Sequence, residues 1–334
     1  VLTNAGASPG STATERREAV CCGLQAMNPV LTFAGNPLDR ADALRRDPTE
    51  LDALAADRDS LFLPFNKLQV AVVEGDPLTL GWLPQQTIGE IAADCPPPVL
   101  LGLADGKAHF AVDVSDCATA EHLSSATGWQ YRDARMAAMA LANADSGIVA
   151  QARSQIDWHR RHQFCSVCAA ATTPAKGGHV RRCAKCSAEH FPRTDPVAIM
   201  LIVADDHCLL GQSAGRLAQM KAYSALAGFI DQGESIEEAV RREVKEEAGI
   251  DVGAVHYHAS QPWPFPSSLM IGCHGVATSR EITIDPEEMV SVRWFNREEV
   301  ARAMNGSHPD LNLPGPVAIA HHLVRAWLDG TTLL

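Results

Sequence analysis

No run in this 334-residue chain approaches the ~20 consecutive apolar residues that a membrane-crossing helix needs. The first residues, VLTNAGASPGSTATERREAV, lack the apolar h-region of a secretory signal. Positive charge is scarce: 28 Lys and Arg stand against 40 Asp and Glu, for a net charge of −12 and a pI near 5.5. That balance argues against broad electrostatic binding to nucleic acid, although it leaves room for a site that grips one phosphorylated end. No internal repeat is visible. Of the ten cysteines, six show no disulfide-like framework. These absences point to a cytoplasmic globular protein with no membrane partner. The hydrophobic fraction of 46% is ordinary, and the length suits two or three domains.

The first 26 residues read as a disordered tail, with Met27 a candidate natural start. Residues 27–155 read as a mixed α/β domain. It has a helical stretch over 41–56, strands at 68–73, 78–83, 98–103 and 109–114, and a hairpin signal at Asp105-Gly106. A helix over 148–162 leads into a cysteine-rich segment, residues 156–192. In residues 193–334 strand and helix alternate again. Strands are expected at 197–203, 208–211, 269–276 and 290–295, with a turn at Asp205-Asp206. Helices are expected near 297–304 and 317–328.

The densest chemistry lies in Gly228–Ile250, GFIDQGESIEEAVRREVKEEAGI. Glu243, Glu246 and Glu247 stand at i, i+3 and i+4, on one helical face. Like charges so placed repel by roughly 0.2–0.5 kcal/mol per pair. A hard divalent cation, Mg²⁺ or Mn²⁺, relieves that repulsion by taking oxygen ligands. Ile236, Ala239, Val240, Val244 and Ala248 are expected on the opposite, buried side. Arg242 would orient a carboxylate through paired hydrogen bonds. The two glycines, Gly228 and Gly249, would permit backbone geometry that a larger residue resists.

Cys165-x2-Cys168 and Cys183-x2-Cys186, separated by 14 residues, read as a Cys₄ zinc ribbon. Four thiolates leave no open position, so Zn²⁺ here is structural, one ion per chain. A redox-active CxxC pair and an iron–sulfur cluster are the alternatives. The lone histidines His159, His162 and His190 read as structural. Further on, SQPWPFP (residues 260–266) has three prolines in five residues, which cannot form a central strand. It reads as a stiff loop presenting Trp263 and Phe265 as a stacking platform for a planar base.

The run from Gly228 fits the Nudix box of the Nudix hydrolases at every defining position. With the zinc ribbon before it and SQPWPFP after it, the segment from Trp158 to Leu328 resembles the bacterial NAD(H) pyrophosphatase subfamily. The resemblance implies an α+β chain whose catalytic part is a Nudix α/β/α sandwich. It implies metal-dependent hydrolysis of NAD(H) to NMN(H) and AMP, and removal of NAD caps from RNA 5′ ends. It also implies a homodimer whose two subunits shape the pocket.

Carried over by residue, the Ala227 carbonyl and the carboxylates of Glu243, Glu246, Glu247 and Glu288 would hold Mg²⁺ or Mn²⁺. Glu246 or Glu247 would be the base. Gln261, Pro262, Trp263, Pro264, Phe265, Pro266, Ser267 and Ser268 would line the dinucleotide pocket. Ala320 would touch substrate through its backbone, and Glu288 would reach it as well. Phe191, where relatives often carry Tyr, would stack on nicotinamide without a hydroxyl donor. Phe229 would be the opposing ring. Arg135 is a candidate phosphate ligand. Gly178 stands where some relatives place a substrate-contacting Glu. Two rival functions remain: a Nudix enzyme for ADP-ribose or diadenosine polyphosphates, and a zinc-ribbon RNA-binding protein with a degenerate hydrolase domain.

Overall fold

In the computed structural model, residues 31–91, 95–117, 129–215 and 222–332 are described. The expected N-terminal tail, Met27, Cys21 and Cys22 lie outside them. Among the described residues no helix is long and apolar enough to cross a membrane.

The N-terminal part begins with α1 (Pro48–Ala56), capped by the Asp47 carboxylate, which accepts from the N–H groups of Thr49 and Glu50. The helix expected over 41–56 is shorter because the Asp47–Pro48 step holds Asp47 extended, at φ −104° and ψ 105°. Then follow β1 (Leu61–Asn66), β2 (Gln69–Val73), β3 (Thr79–Leu80), β4 (Leu83–Pro84), α2 (Gln85–Ile91), β5 (Val99–Ala104) and β6 (Lys107–Asp113). The β5–β6 hairpin turns at Asp105 and Gly106, both at positive φ, as that dipeptide foretells. The strand expected over 78–83 is split into β3 and β4, because Gly81 turns in against the Ala71 carbonyl. Then come β7 (Trp129–Arg132), α3 (Ala134–Ala138) and α4 (Asn143–Arg161). The boundary drawn between residues 155 and 156 falls inside α4.

The ribbon is three short strands, β8 (Thr172–Ala175), β9 (Val180–Cys183) and β10 (Glu189–His190). The C-terminal part contains β11 (Asp195–Ala204), β12 (His207–Ser213), β13 (Leu226–Phe229), α5 (Ile236–Ala248), β14 (Val252–Trp263), β15 (Ser268–Ala277), β16 (Met289–Asn296), α6 (Arg297–Met304) and α7 (Ile319–Leu328). Along β11 the side chains alternate between two cores. Ile199, Leu201 and Val203 pack towards α6 and α7, while Ala198, Met200 and Ile202 pack towards α5. A strand covered on both faces must be apolar throughout, which explains the unbroken run in the sequence. This is the α/β/α sandwich.

The two large sheets repeat one plan. Pairing runs β5-β6-β1-β2-β7 in one and β14-β15-β11-β12-β16 in the other. In each, the central pair (β1 with β6, β11 with β15) is parallel and its neighbours are antiparallel. A short strand, β4 or β13, joins the central strand and leads into a helix, and two helices follow the last strand. The expectation of no internal repeat is therefore corrected. The repeat lies in the chain path, while the side chains differ. Where α5 reads REVKEE, α2 reads QQTIGEI.

A second correction concerns cysteine. Cys95 and Cys117 form a disulfide with a Cα–Cα distance of 5.6 Å. They flank the β5–β6 hairpin, and that hairpin, not their spacing of 22 residues, brings them together. Cys208 and Cys273 are buried thiols.

Candidate active site

Helix α5 is set at both ends. Ser235 and Glu238 form a reciprocal capping box, and Gly249 closes the helix in the left-handed conformation at φ 74°. A Cβ at Gly249 would also meet Thr283 at 2.9 Å. Between the caps, Val240, Glu243, Val244 and Glu247 fall at i, i+3, i+4 and i+7, a single stripe. The acids are therefore not opposite the apolar face: Glu243 (9% exposed) and Glu247 (8%) are buried along it, and Glu246 stands outside on the rim.

What makes room for Glu243 is Gly228. Strand β13 lies against β11, with Ala198 paired to Gly228 and Ile199 to Ala227. A Cβ at Gly228 would sit 1.8 Å from Cδ of Glu243. Arg242 ties the acids together. It donates from Nε and Nη2 to the two oxygens of Glu234 (2.6 and 2.7 Å) and from Nη1 to Glu243 (2.8 Å) and Glu246 (3.0 Å). Its Nη2 also donates to the Phe229 carbonyl at 2.9 Å. The paired hydrogen bonds thus go to Glu234, and their effect is to hold that carboxyl down at about 2.

Glu247 is the opposite case. Burial first, then the charges of Glu243 and Glu288, push its carboxyl up to about 8, and its Oε2 is buried without a hydrogen-bond partner. Burial likewise raises Glu243, against the pull of Arg242. A buried, partnerless carboxylate oxygen beside two more acids is a site that a hard cation completes. The residues therefore fit Mg²⁺ or Mn²⁺. Among the described residues, however, only the four ribbon cysteines gather ligand atoms of three or more residues within 4.8 Å. The glutamates stand wider, with Glu246 drawn out to Arg242.

In the ribbon, Cys165, Cys168, Cys183 and Cys186 converge, with Sγ–Sγ distances of 3.6 Å (Cys165–Cys186) and 3.5 Å (Cys168–Cys183). The set fits tetrahedral Zn²⁺. Elemental analysis of reduced protein is expected to give one zinc per chain. Chelation is expected to unfold β8–β10 while the two large sheets keep their circular dichroism. Zinc-free protein with an intact ribbon would refute this. Gly178, at φ +84°, has no space for a side chain: its Cβ would meet Val99 at 2.9 Å.

The SQPWPFP segment is not all loop. Residues 260–263 are the end of β14, paired with Ile271, Met270, Leu269 and Ser268 of β15. This is an edge strand, where a proline costs the ladder least. A cleft of about 620 Å³ opens beside it, lined by Pro262, Trp263, Ser267 and Ser268, by Asn36 and Arg40, and by Gln151 and Ser154 of α4. The other members lie elsewhere. Gln261 is fully buried: its amide donates to the carbonyls of Thr32 and Val317 and accepts from the Ile319 N–H. It clamps three segments and does not line this cleft. Pro264 is buried, and its carbonyl accepts from Arg153. Pro266 is exposed. Phe265 packs edge-on to Phe33 and Trp263.

Arg135 does reach this hairpin, with its guanidinium 5.1 Å from the Trp263 ring centre and 4.4 Å from that of Phe265. Phe191 and Phe229 are both exposed, at 62% and 60%. Phe191 lines a neighbouring groove with Arg45, Arg46, Lys176 and His179. Glu288 is exposed and close enough to raise Glu247. Ala320 is buried in the first turn of α7. The ladder relates these parts. Ser268 pairs with Asp195 and Phe229 with Val197, on opposite edges of β11. Strand spacing and rise put the cleft rim about 12 Å from β13, at the same end of the sheet. Gln151 and Ser154 had no signal in the sequence, since polar residues on a helix are commonplace.

Comparison with known proteins agrees with this geometry. Three family models match in succession: an NADH pyrophosphatase-like rudimentary NUDIX domain over residues 59–158, an NADH pyrophosphatase zinc ribbon domain over 160–191, and a NUDIX domain over 192–312. The first accounts for the repeated sheet. The chain is 34% identical over 312 residues to an NAD-capped RNA hydrolase of Mycobacterium bovis, covering 90% of this chain and 94% of that one. It is 33% identical over 347 residues to an NAD-capped RNA hydrolase of Schizosaccharomyces pombe, covering 88% and 92%. With the NAD-capped RNA hydrolase NUDT12 of Homo sapiens it shares 45% identity over 203 residues, 58% of this chain but only 44% of that relative's length. Since the match to the two microbial relatives runs nearly end to end and all three domain models are met in order, the chain belongs to the NADH pyrophosphatase family of Nudix hydrolases.

Proposed function

We propose that this chain hydrolyses the pyrophosphate of NAD(H) to NMN(H) and AMP, and removes NAD caps from RNA 5′ ends. The observation that carries the reading is the buried pair Glu243, against Gly228, and Glu247, one turn on, at the same end of the sheet as the Trp263-lined cleft. The names of the relatives support the substrate class. Mg²⁺ or Mn²⁺, when bound by Glu243, Glu246, Glu247, Glu288 and the Ala227 carbonyl, would neutralise the diphosphate and lower the pKa of a water.

The chain's own groups do the rest. Arg242 holds Glu243 and Glu246 in place and keeps Glu234 ionised. Glu247, once its proton is displaced, is the buried base that accepts a proton from the attacking water. Trp263, Ser267 and Ser268 offer a ring and two hydroxyls to one half of the dinucleotide. Phe191 and Phe229 offer exposed rings to the planar base at the other end. For the RNA body, two carboxylates each serve two cations near Phe191. Asp42 pairs with Arg45 and Arg46, and Glu189 with Lys176 and Arg182. That leaves a local positive excess in an acidic chain.

The reading includes a homodimer: Met136, Met139, Phe164 and Val167 are all exposed, and a second copy would cover such apolar groups. It also includes a cytoplasmic setting, where the substrates are found, although the Cys95–Cys117 bridge is of a kind uncommon there.

The deciding experiment is product analysis with NADH, NAD, NAD-capped RNA, ADP-ribose and diadenosine polyphosphates, each with Mg²⁺ and with Mn²⁺. Fastest cleavage of the first three, to NMN(H) and AMP from the free dinucleotides and to NMN and 5′-monophosphorylated RNA from the capped RNA, supports the reading; faster cleavage of ADP-ribose or diadenosine polyphosphates overturns it. Trp263→Ala is expected to raise KM for NADH about tenfold, equivalent to losing an aromatic contact worth about 1.4 kcal/mol, and to leave Mg²⁺ affinity unchanged. Equal loss of both would reduce the hairpin to scaffold.

A further inference from the structure

We propose that His190 couples the zinc ribbon to the substrate groove: by donating from Nε2 to the Cys165 thiolate it holds the end of β10, and so places Phe191. His190 is a positioning residue in this scheme. The role it gives Phe191 rests on the function proposed above; the bond to Cys165 does not.

His190 Nε2 lies 3.3 Å from Cys165 Sγ, across 25 residues of sequence. Cys165 is 3% exposed, and its sulfur accepts one other N–H, from Val167 at 3.4 Å. Strand β10 is two residues long, with only two register pairs, Glu189 to Arg182 and His190 to Arg181. The Glu189 side chain is held by Lys176 at 3.0 Å and Arg182 at 3.5 Å. The next residue is Phe191, whose ring is 62% exposed. So exposed a ring is placed mainly by its backbone, and the nearest fixed points before it are the last register pair, His190 to Arg181, and the His190–Cys165 bond. Beyond it Pro192 lines both the Phe191 groove and the Trp263 cleft. A sulfur bound to zinc stays a thiolate and accepts a strong, charge-assisted hydrogen bond, whereas a protonated thiol accepts weakly. Zinc loading therefore strengthens the tether, and the tether strengthens zinc binding. Outer-shell partners of this kind are worth about 10–100-fold in metal affinity.

Three variants of the zinc-loaded protein test this: His190→Ala, His190→Gln, which keeps an N–H donor near the same reach, and Phe191→Ala. Zinc transfer to a chromogenic chelator and steady-state kinetics on NADH are measured for each. His190→Ala is expected to release zinc about tenfold faster and to raise KM about fivefold, the worth of one ring contact, with kcat within about twofold. His190→Gln should restore both, and Phe191→Ala should raise KM alone. Zinc release at the wild-type rate in His190→Ala removes the bond to Cys165. Faster release with unchanged KM removes the coupling. A fall in kcat alongside a fall in thermal stability, not rescued by Gln, makes His190 a plain structural residue. If wild-type protein does not turn over NADH, the proposed function fails together with the Phe191 half of this inference, while the zinc measurement still judges the bond.

Discussion

Glu247→Gln is expected to lower kcat on NADH by about 10²–10⁴-fold while leaving the fold intact. The reason is specific to this position. Glu247 is buried, its Oε2 has no partner, and its carboxyl is pushed up to about 8 by burial and by Glu243 and Glu288. In metal-free protein at neutral pH it holds a proton, and glutamine imitates that neutral form closely. Folding should therefore be unaffected, and what disappears is the ability to release the proton and become a base.

The sign of the pH dependence follows. A cation at the site must displace a proton below about 8, so Mg²⁺ affinity should rise with pH up to that value and level off above it. Calorimetry in buffers of different ionisation enthalpy should detect proton release on Mg²⁺ binding to wild type, and less in Glu247→Gln. For stability the direction is the reverse. The folded carboxyl lies above its ordinary value of 4.5, so the metal-free fold is most stable below that value and loses stability as pH rises through about 8. Glu247→Gln should remove that loss, as melting temperatures compared at a pH near the ordinary value and at one near the folded value would reveal. A variant with near-wild-type kcat would strip Glu247 of its role.

Gly228→Ala is the second large effect. Here the conformation is ordinary and the constraint is space, since the added Cβ would fall 1.8 Å from Cδ and about as close to both oxygens of Glu243. The side chain of Glu243 must move, and it carries the 2.8 Å bond from Arg242 with it. A displacement of about 1 Å at a catalytic group costs on the order of 10²-fold in rate, so kcat/KM should fall by at least that. Mg²⁺ affinity should fall with it, because Glu243 is a proposed ligand. A cost to the fold alone would appear as a lower melting temperature with kcat per folded molecule preserved. That outcome would show that Glu243 need not lie where it does.

Much of the site was legible because its logic is local. The box helix announces itself through spacing within 23 residues, and the zinc ribbon through two CxxC pairs. Four of the six strands of the C-terminal sheet, β11, β12, β15 and β16, were legible for the same reason, as was the Asp105-Gly106 turn, whereas β13 and β14 were not. What spacing could not tell was which face of α5 is covered. Helical periodicity puts Glu243 and Glu247 in line with Val240 and Val244, and only the approach of β13 makes that line a buried one. Gln261 reads like a cleft residue beside its neighbours, yet the pleat turns it inward to Thr32, Val317 and Ile319. Arg135 had no local signal; its place over Trp263 and Phe265 comes from a contact across some 130 residues.

By itself, then, the sequence determined the parts: an acidic helix with glycines at both ends, a four-thiolate knuckle and a proline-stiffened aromatic hairpin, each specified by neighbours within a few turns. Tertiary structure decided how they are used. It duplicated one sheet plan without duplicating its chemistry and joined Cys95 to Cys117. It set His190 against Cys165, pressed Glu243 against Gly228 and buried Glu247 beside it. The physical reason is range. Spacing encodes which face a residue is on, but a carboxylate's proton affinity and a thiol's partner depend on what the rest of the chain folds on top of it.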